Sequence, residues 1–386
     1  MKKIILDIPI TDIRPEFYDR LKKKYSIQII ENSTIVNLVV WRGFLPLIKL
    51  GHAWDIKQKK EYQYICELFG LTRLKKCLLN KYDVWLATNL FSLPTLITFI
   101  ICKLRGKKFG VRVKEWFFKK HNFLGKLSSF TSKPLAKNCD FLIAHSIKSR
   151  NFIKNKVGVK DNNKIFYIPK PWEDYSEIKY SKTKLEKIRK KYKKKNKKNI
   201  LFVGRFMEIK GIDLLINAVK DNKQIRLILV GNHNNSYGKY CKNLAEKQNI
   251  DVVFIGQVGK KKGSEDMIYY YMISDLLVLP NRYLPFEYEP LEIWGGVVSE
   301  ALSLGIPVIV TTATGCADDL VKNRNTGKII KQNSVIELDH TINDFLKNPK
   351  KWKEMAKNGP VVFKQNKFNT YRGYIRLFEA IKHDNI

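Results

Sequence analysis

Five short apolar runs in the second half of the chain leave little choice of fold: "NILFVG" (199–204), "RLILVG" (226–231), "DVVFIG" (251–256), "DLLVLP" (275–280) and "PVIVT" (307–311). A strand with one wet face alternates apolar and polar side chains. These runs are apolar throughout, so both of their faces must be covered. Helical stretches fall between them: "GIDLLINAVK", "YCKNLAEKQN", "SEDMIYYYMIS" and "GGVVSEALSLG". Strand and helix in alternation form a parallel sheet wound with helices on both faces. The first half alternates more loosely, with strands predicted at "KIILDI", "SIQII", "VVW", "DVWLAT", "FGVRV", "DFLIAHS" and "KIFYIP".

At 386 residues the chain exceeds one ordinary core, and two domains are expected. Composition marks the break. From Leu185 to Lys198 the chain is almost wholly basic and helical in propensity, and the strand "NILFVG" then begins abruptly. Basic runs of this kind are solvated and mark segment ends, which puts the boundary near residues 175–198. The fold class is therefore α/β, with two Rossmann-like domains facing across a cleft where strand carboxyl ends converge and a ligand binds.

Several classes are excluded. The six cysteines (Cys66, Cys77, Cys102, Cys139, Cys241, Cys316) form no Cys-x-x-Cys pair and have no metal-ligand spacing with the six histidines. They read as reduced thiols of a cytosolic protein. The basic start "MKKIILDIPITDIRPEF" carries an apolar stretch broken by Asp7 and Pro9, a first strand and not a secretory signal. The longest apolar run, Phe91 to Cys102, falls short of the ~20 residues a spanning helix needs, so it is a buried or surface-dipping helix. No 20–50-residue repeat is visible.

Net charge is +36, and its distribution is uneven. Residues 1–199 hold 46 Lys or Arg against 16 Asp or Glu, and the remainder holds 26 against 20. A polyanion is expected to touch the first half: nucleic acid, an anionic membrane or a phosphorylated substrate. An AT-rich genome yields a Lys-, Asn- and Ile-rich chain and so raises the total charge, but it does not explain the asymmetry.

Two stretches carry the chemistry. In "LFVGRFMEIKGIDLLINAV" a strand ends at Gly204, Arg205 and Lys210 occupy the loop, and Gly211 opens a helix. A guanidinium fork, an ammonium point charge and free helix N–H groups together suit a diphosphate; in a chain with 72 cations the pair also fits ordinary exposed charge. In "EPLEIWGGVVSEALSLGIPVIV", a helix is opened by Gly295 and Gly296 and ended by Gly305; Glu292 lies just before it and Glu300 inside it, so the two bracket its N-terminus. Backbone bared by glycine lets a phosphate approach the helix N-terminus, and carboxylates accept from vicinal hydroxyls. The bland alternative is a dipole-favoured Glu at the helix start and a solvated Glu inside it.

Taken together, Gly204-Arg205-x4-Lys210-Gly211, the downstream "FIGQV", and Glu292-x7-Glu300 running into "GIPVIVTTATG" resemble the family-4 retaining glycosyltransferases of the GT-B fold. The likeness is strongest over residues 199–330 and extends to "YDVWLATNLFSLPTLITFIICKLRGKKF" and "CDFLIAHSIKSRNFI". It implies an acceptor-binding, membrane-facing domain at 1–180, a nucleotide-sugar domain at 199–365, and a C-terminal helix at 366–386 that packs back on the first. It also implies transfer of a hexose-type sugar from a UDP- or GDP-sugar with retained anomeric configuration. Arg205 and Lys210 would hold the diphosphate and stabilise its growing charge; Gly295, Gly296 and Val297 would offer backbone to the phosphates. Glu300 would take the ribose, Glu292 the transferred sugar, and Val258 would lie near the base. Glu292, Arg205 and Lys210 are the candidate catalytic residues. No Asp-x-Asp is present, which suits a metal-independent enzyme whose nucleotide sugar is a co-substrate and which needs no cofactor. The chain departs from the family pattern in "DIPITDIRPEF", which lacks the glycine expected near the diphosphate. For the residue that reaches over the sugar from the first domain, the candidates are Glu115 and His121 of "VKEWFFKKHNF".

The segment Cys102–Lys126 interleaves cations with Phe109, Trp116, Phe117, Phe118 and Phe123. Such a surface suits an anionic bilayer or single-stranded nucleic acid. With the transferase motifs, it predicts a peripheral enzyme on the cytoplasmic face of the cell membrane, acting on a lipid-linked or cell-surface glycan acceptor such as lipopolysaccharide or a glycolipid. The alternative is a basic nucleic-acid-binding α/β protein without transferase activity, but neither an RNA-recognition aromatic pattern nor a zinc finger is present, so nucleic acid is not expected as a partner.

Overall fold

The computed structural model describes residues 4–9, 26–32, 71–88, 90–91, 93–116, 123–170, 172–258, 265–284 and 292–383. They form two compact units, one of residues 1–169 with 369–386, the other of residues 170–368.

The first unit holds six parallel strands: β1 (Ile4–Pro9), β2 (Ile27–Asn32), β3 (Val84–Thr88), β4 (Lys108–Val113), β5 (Phe141–Ala144) and β6 (Ile165–Tyr167). Their order is β2-β1-β3-β4-β5-β6. The predicted strand "VVW" lies outside the described residues. Helices α1 (Leu71–Leu79), α2 (Leu93–Leu104), α3 (Phe123–Asn138) and α4 (Ile147–Phe152) connect the strands. "VWLAT" is buried throughout because it serves two cores. Trp85 and Ala87 pack with Cys102, Phe109 and Leu142 on one side. Val84 and Leu86 pack with Ile4, Phe141 and Ile143 on the other.

The second unit holds β7 (Lys198–Val203), β8 (Ile225–Val230), β9 (Val252–Ile255), β10 (Leu276–Leu279), β11 (Val308–Thr311) and β12 (Gly327–Ile330). All are parallel, in the order β12-β11-β10-β7-β8-β9. Its helices are α5 (Lys182–Tyr192), α6 (Ile212–Ala218), α7 (Ser236–Lys247), α8 (Glu265–Met272), α9 (Gly296–Ser303) and α10 (Val335–Lys347). A last helix, α11 (Pro349–Lys382), begins in this unit and ends in the first. There Tyr374, Leu377, Phe378 and Ile381 join the core of Ile4, Val84 and Phe141. Both sheets match the GT-B architecture of two parallel-sheet α/β domains. β12, "GKII", is absent from the strands read off the sequence; it is four residues long, and Lys328 interrupts its apolar pattern.

The basic run read as a boundary belongs to the second unit. Residues 182–192 form α5, Ser181 caps it, and Leu185 is buried in the core beside Tyr175 and Tyr271. This changes the charge distribution. Counted by unit, the excess is +22 in the first and +14 in the second, less uneven than a division at residue 199 implies.

Candidate functional site

A doubly wound sheet binds ligands outside its strand carboxyl ends, where the winding reverses. In the second unit that point lies between β7 and β10, which pair directly although two strands separate them in sequence. The chain leaving β7 turns at Gly204, passes Arg205 on the surface, and makes a short 3-10 turn at Glu208–Lys210. The chain leaving β10 crosses this turn: the Arg282 N–H donates to the Ile209 carbonyl at 2.9 Å. The Arg282 side chain then ties the turn down. Its Nε donates to the Glu208 carbonyl at 2.8 Å and its Nη1 to Asp213 Oδ2 at 3.0 Å. The same Asp213 accepts from the Tyr237 hydroxyl at 2.5 Å.

Lys210, the residue this framework presents, is buried, and its Nζ bonds Glu292 Oε2. The ion pair keeps little water, with the two side chains 10% and 22% exposed. Glu292 is held by its backbone. Its carbonyl accepts from Gly315 N–H at 3.0 Å, and the Trp294 carbonyl accepts from Cys316 N–H at 2.7 Å. These two bonds zip 292–294 to the segment after β11. Next, Gly295 turns the chain at φ +100° and α9 begins at Gly296. A side chain at Gly295 would be strained at this angle and would press on Thr314 and Cys316. The Trp294 indole N–H donates to Ser299 Oγ at 3.1 Å and pins the loop to the first turn of α9. Gly296 has a second role that sequence alone leaves hidden. The Trp172 ring packs so close that a Cβ at Gly296 would stand 2.4 Å from it.

Glu300 faces another way. It is buried, and the Tyr271 hydroxyl of α8 donates to its Oε2 at 2.7 Å. Burial, then the neighbouring Glu300 charge, pushes the Tyr271 phenol well above its ordinary pKa, so at neutral pH it is a fixed donor. Tyr270, the preceding residue on α8, lines a recess of about 370 Å³ with Val258, Ile188 and Gln257. Helix α8 thus links the recess at Val258 to the carboxylate of Glu300.

The sequence-derived residues therefore do not form one cluster. Lys210 and Glu292 meet directly, Gly295, Gly296 and Val297 start the helix between the two carboxylates, and Glu300 and Val258 sit on either side of α8. Glu115 belongs to the first unit, half-buried after β4, where its Oε2 accepts from the Lys114 N–H at 3.1 Å. His121 lies outside the described residues. At the carboxyl ends of β4 and β5, buried Arg112 donates from Nε to His145 Nε2 at 3.0 Å, and His145 Nδ1 lies 2.8 Å from the Ile168 carbonyl. An acceptor at Nε2 and a carbonyl at Nδ1 make His145 a neutral imidazole protonated on Nδ1.

Sequence reasoning missed Arg282, Tyr271, Trp172, Arg112 and His145. Strand-end positions carried the signal for three of them: Arg282, three residues beyond β10, His145, directly after β5, and Arg112, at the end of β4. Among the described residues, no three His, Cys, Asp or Glu side chains group as metal ligands, and no helix is long and apolar enough to cross a membrane. The side chains of Cys77, Cys102, Cys139, Cys241 and Cys316 are buried.

Residues 184–362 match the family model described as Glycosyl transferases group 1. An uncharacterised glycosyltransferase of Methanocaldococcus jannaschii is 28% identical, over 78% of this chain and 76% of that protein. Among solved structures, HepE of Anabaena in complex with UDP superposes with a TM-score of 0.70 at 18% identity, covering 99% of this chain and all of that one. WaaG, a glycosyltransferase involved in lipopolysaccharide biosynthesis, gives 0.57 at 17%, covering 94% and 95%.

Proposed function

We propose that the chain, whose residues 184–362 match the family model described as Glycosyl transferases group 1, is a retaining hexosyltransferase that uses a UDP- or GDP-sugar. Its acceptor is a lipid-linked or cell-surface glycan at the cytoplasmic face of the membrane. One observation carries the reading. At the switch point of the second sheet, a glycine-opened helix starts beside a Lys210–Glu292 pair and carries, one turn on, a Glu300 that accepts from Tyr271. HepE has been solved with UDP and with UDP-glucose, and the lipopolysaccharide role stated for WaaG supports the acceptor class.

The roles follow from the chemistry of each group. Lys210 and Arg205 meet the diphosphate, and the first N–H groups of α9, at Gly296 and Val297, meet its oxygens. Glu300 accepts from the ribose hydroxyls, Val258 borders the base, and Glu292 accepts from a hydroxyl of the transferred sugar. As the bond from the anomeric carbon to the β-phosphate oxygen breaks, its electron pair goes to the diphosphate, whose rising charge the two cations stabilise. The acceptor oxygen bonds the anomeric carbon on the same face and passes its proton to the departing phosphate oxygen. No protein nucleophile and no metal ion takes part.

A thermal-shift screen with UDP- and GDP-sugars tests the donor, since a ligand that binds only the folded state raises the melting temperature. The anomeric configuration of the product, read by NMR, tests retention, and activity in EDTA tests metal independence. A protein that melts at one temperature with every nucleotide and binds RNA tightly would overturn the proposal.

A further inference from the structure

In the first unit, α2 packs between α1 and α3. The strands they connect step in one direction across the sheet, from β2 past β1 to β3, then to β4 and β5. Right-handed crossovers therefore put all three helices on one face. That face is unusual in what it leaves in water. Leu104 is 82% exposed and Phe130 76%. Ile100, one turn before Leu104 on α2, and Leu78 and Leu79 at the end of α1 are exposed as well. Between α2 and α3 runs a groove of about 610 Å³, with Leu96, Phe99 and Phe130 among its walls.

Among the described residues of this face, the charges all but exclude acid. Residues 71–83, 93–108 and 123–140, which make up these helices and the turns after them, contain eleven Lys or Arg and two Asp. Both acids are neutralised: Asp140 by Lys103 at 3.0 Å and Asp83 by Lys107 at 3.6 Å. Long apolar side chains standing out of a cationic field match an interface with hydrocarbon below and anionic headgroups above. An acidic protein partner would meet the cations but would leave an open apolar groove beside polar surface. A nucleic acid would bring bases to stack, and the exposed side chains other than Phe130 are aliphatic.

We infer that the α1–α2–α3 face seats on an anionic lipid bilayer, with Ile100, Leu104 and Phe130 inserted among the acyl chains and the surrounding lysines on the headgroups. The inference names the surface behind the membrane partner proposed above, and it does not need transferase activity to hold.

Co-sedimentation with phosphatidylglycerol vesicles and with phosphatidylcholine vesicles tests it. The full chain is expected to bind the former, less as salt rises, and to bind the latter weakly. The triple variant Ile100→Ser, Leu104→Ser, Phe130→Ser should lose about tenfold or more of its partition, because interfacial binding scales with buried apolar area. The pair Ile336→Ser, Val361→Ser, equally exposed on the second unit, should bind like wild type. Phe130→Trp should emit to the blue on anionic vesicles and be quenched by brominated acyl chains. Failure of the wild type to bind anionic vesicles, wild-type partition by the triple variant, or unchanged Trp emission on bound vesicles overturns the inference. A nucleotide-induced thermal shift retained by the triple variant confirms its fold. Loss of that shift in wild type counts against the transferase reading alone.

Discussion

The Lys210–Glu292 pair permits a quantitative test through a double-mutant cycle of Lys210→Met, Glu292→Gln and the double variant. With side chains 10% and 22% exposed, the two charges lie in a mostly desolvated setting. Breaking a buried pair from one side leaves the other charge uncompensated, at a cost of about 3–5 kcal/mol for full burial. Glu292→Gln strands the more buried group, the ammonium, and should cost about 3 kcal/mol. Lys210→Met leaves a carboxylate with more access to water and should cost about 2 kcal/mol. The double variant removes both charges, so its loss should fall short of the sum by about 1–3 kcal/mol, the range of coupling between contacting residues. Urea denaturation followed by circular dichroism measures all four proteins, provided the slopes agree. Additivity within about 0.5 kcal/mol would mean that the two charges do not meet in solution, and the geometry assigned to the candidate site would fall.

Three further outcomes follow from the same structure. Tyr271→Phe removes the donor to buried Glu300 and should cost about 1.5–3 kcal/mol; it should also raise the KM for donor more than it lowers kcat, and an unchanged KM would detach Glu300 from donor binding. Arg282→Ala releases the Glu208 carbonyl and breaks a pair with Asp213 whose side chains are each 13% exposed, so stability should drop by about 3 kcal/mol and activity should fall with the loosened Lys210 turn; Arg282→Lys, lacking the fork, should restore only part, and full activity in Arg282→Ala would refute the positioning role. Burial alone would raise the pKa of Asp251, but donors from Lys197 at 2.7 Å and Lys194 at 3.1 Å, with the Arg226 charge, hold it below the ordinary carboxylate value. A depressed folded pKa stabilises above the unfolded value, about 3.9, and that stability is lost as pH falls through the folded value. Asp251→Asn should therefore cost about 1–2 kcal/mol at pH 7, a deficit that shrinks below about pH 4; a deficit constant from pH 7 to 2.5 in urea melts would refute the linkage.

The two-sheet fold was legible because burial on both faces of a parallel strand writes a continuous apolar run, and that signal is local. β12 escaped because four residues with a lysine among them carry too little of it. The unit boundary was misread for a related reason. Charge is visible residue by residue, whereas the placement of Leu185 in the second core depends on Tyr175 and Tyr271, which the run itself does not contain.

At the site, the sequence by itself determined the residue types and their strand-end positions: two cations after β7, two glycines opening α9, and a carboxylate on each side of them. Gly295 is fixed locally, by a positive φ, whereas Gly296 is fixed from a distance in sequence, by the Trp172 ring that a Cβ would strike. Only the tertiary structure decided which groups meet. Lys210 pairs with a Glu 82 residues away, Glu300 takes its donor from another helix, and Arg282 reaches back 74 residues to the turn that carries Lys210. Contacts of that range exist only once a parallel sheet has brought β7 and β10 side by side. Spacing along the chain carries no trace of them, because strand order, and not sequence distance, sets which strand ends converge.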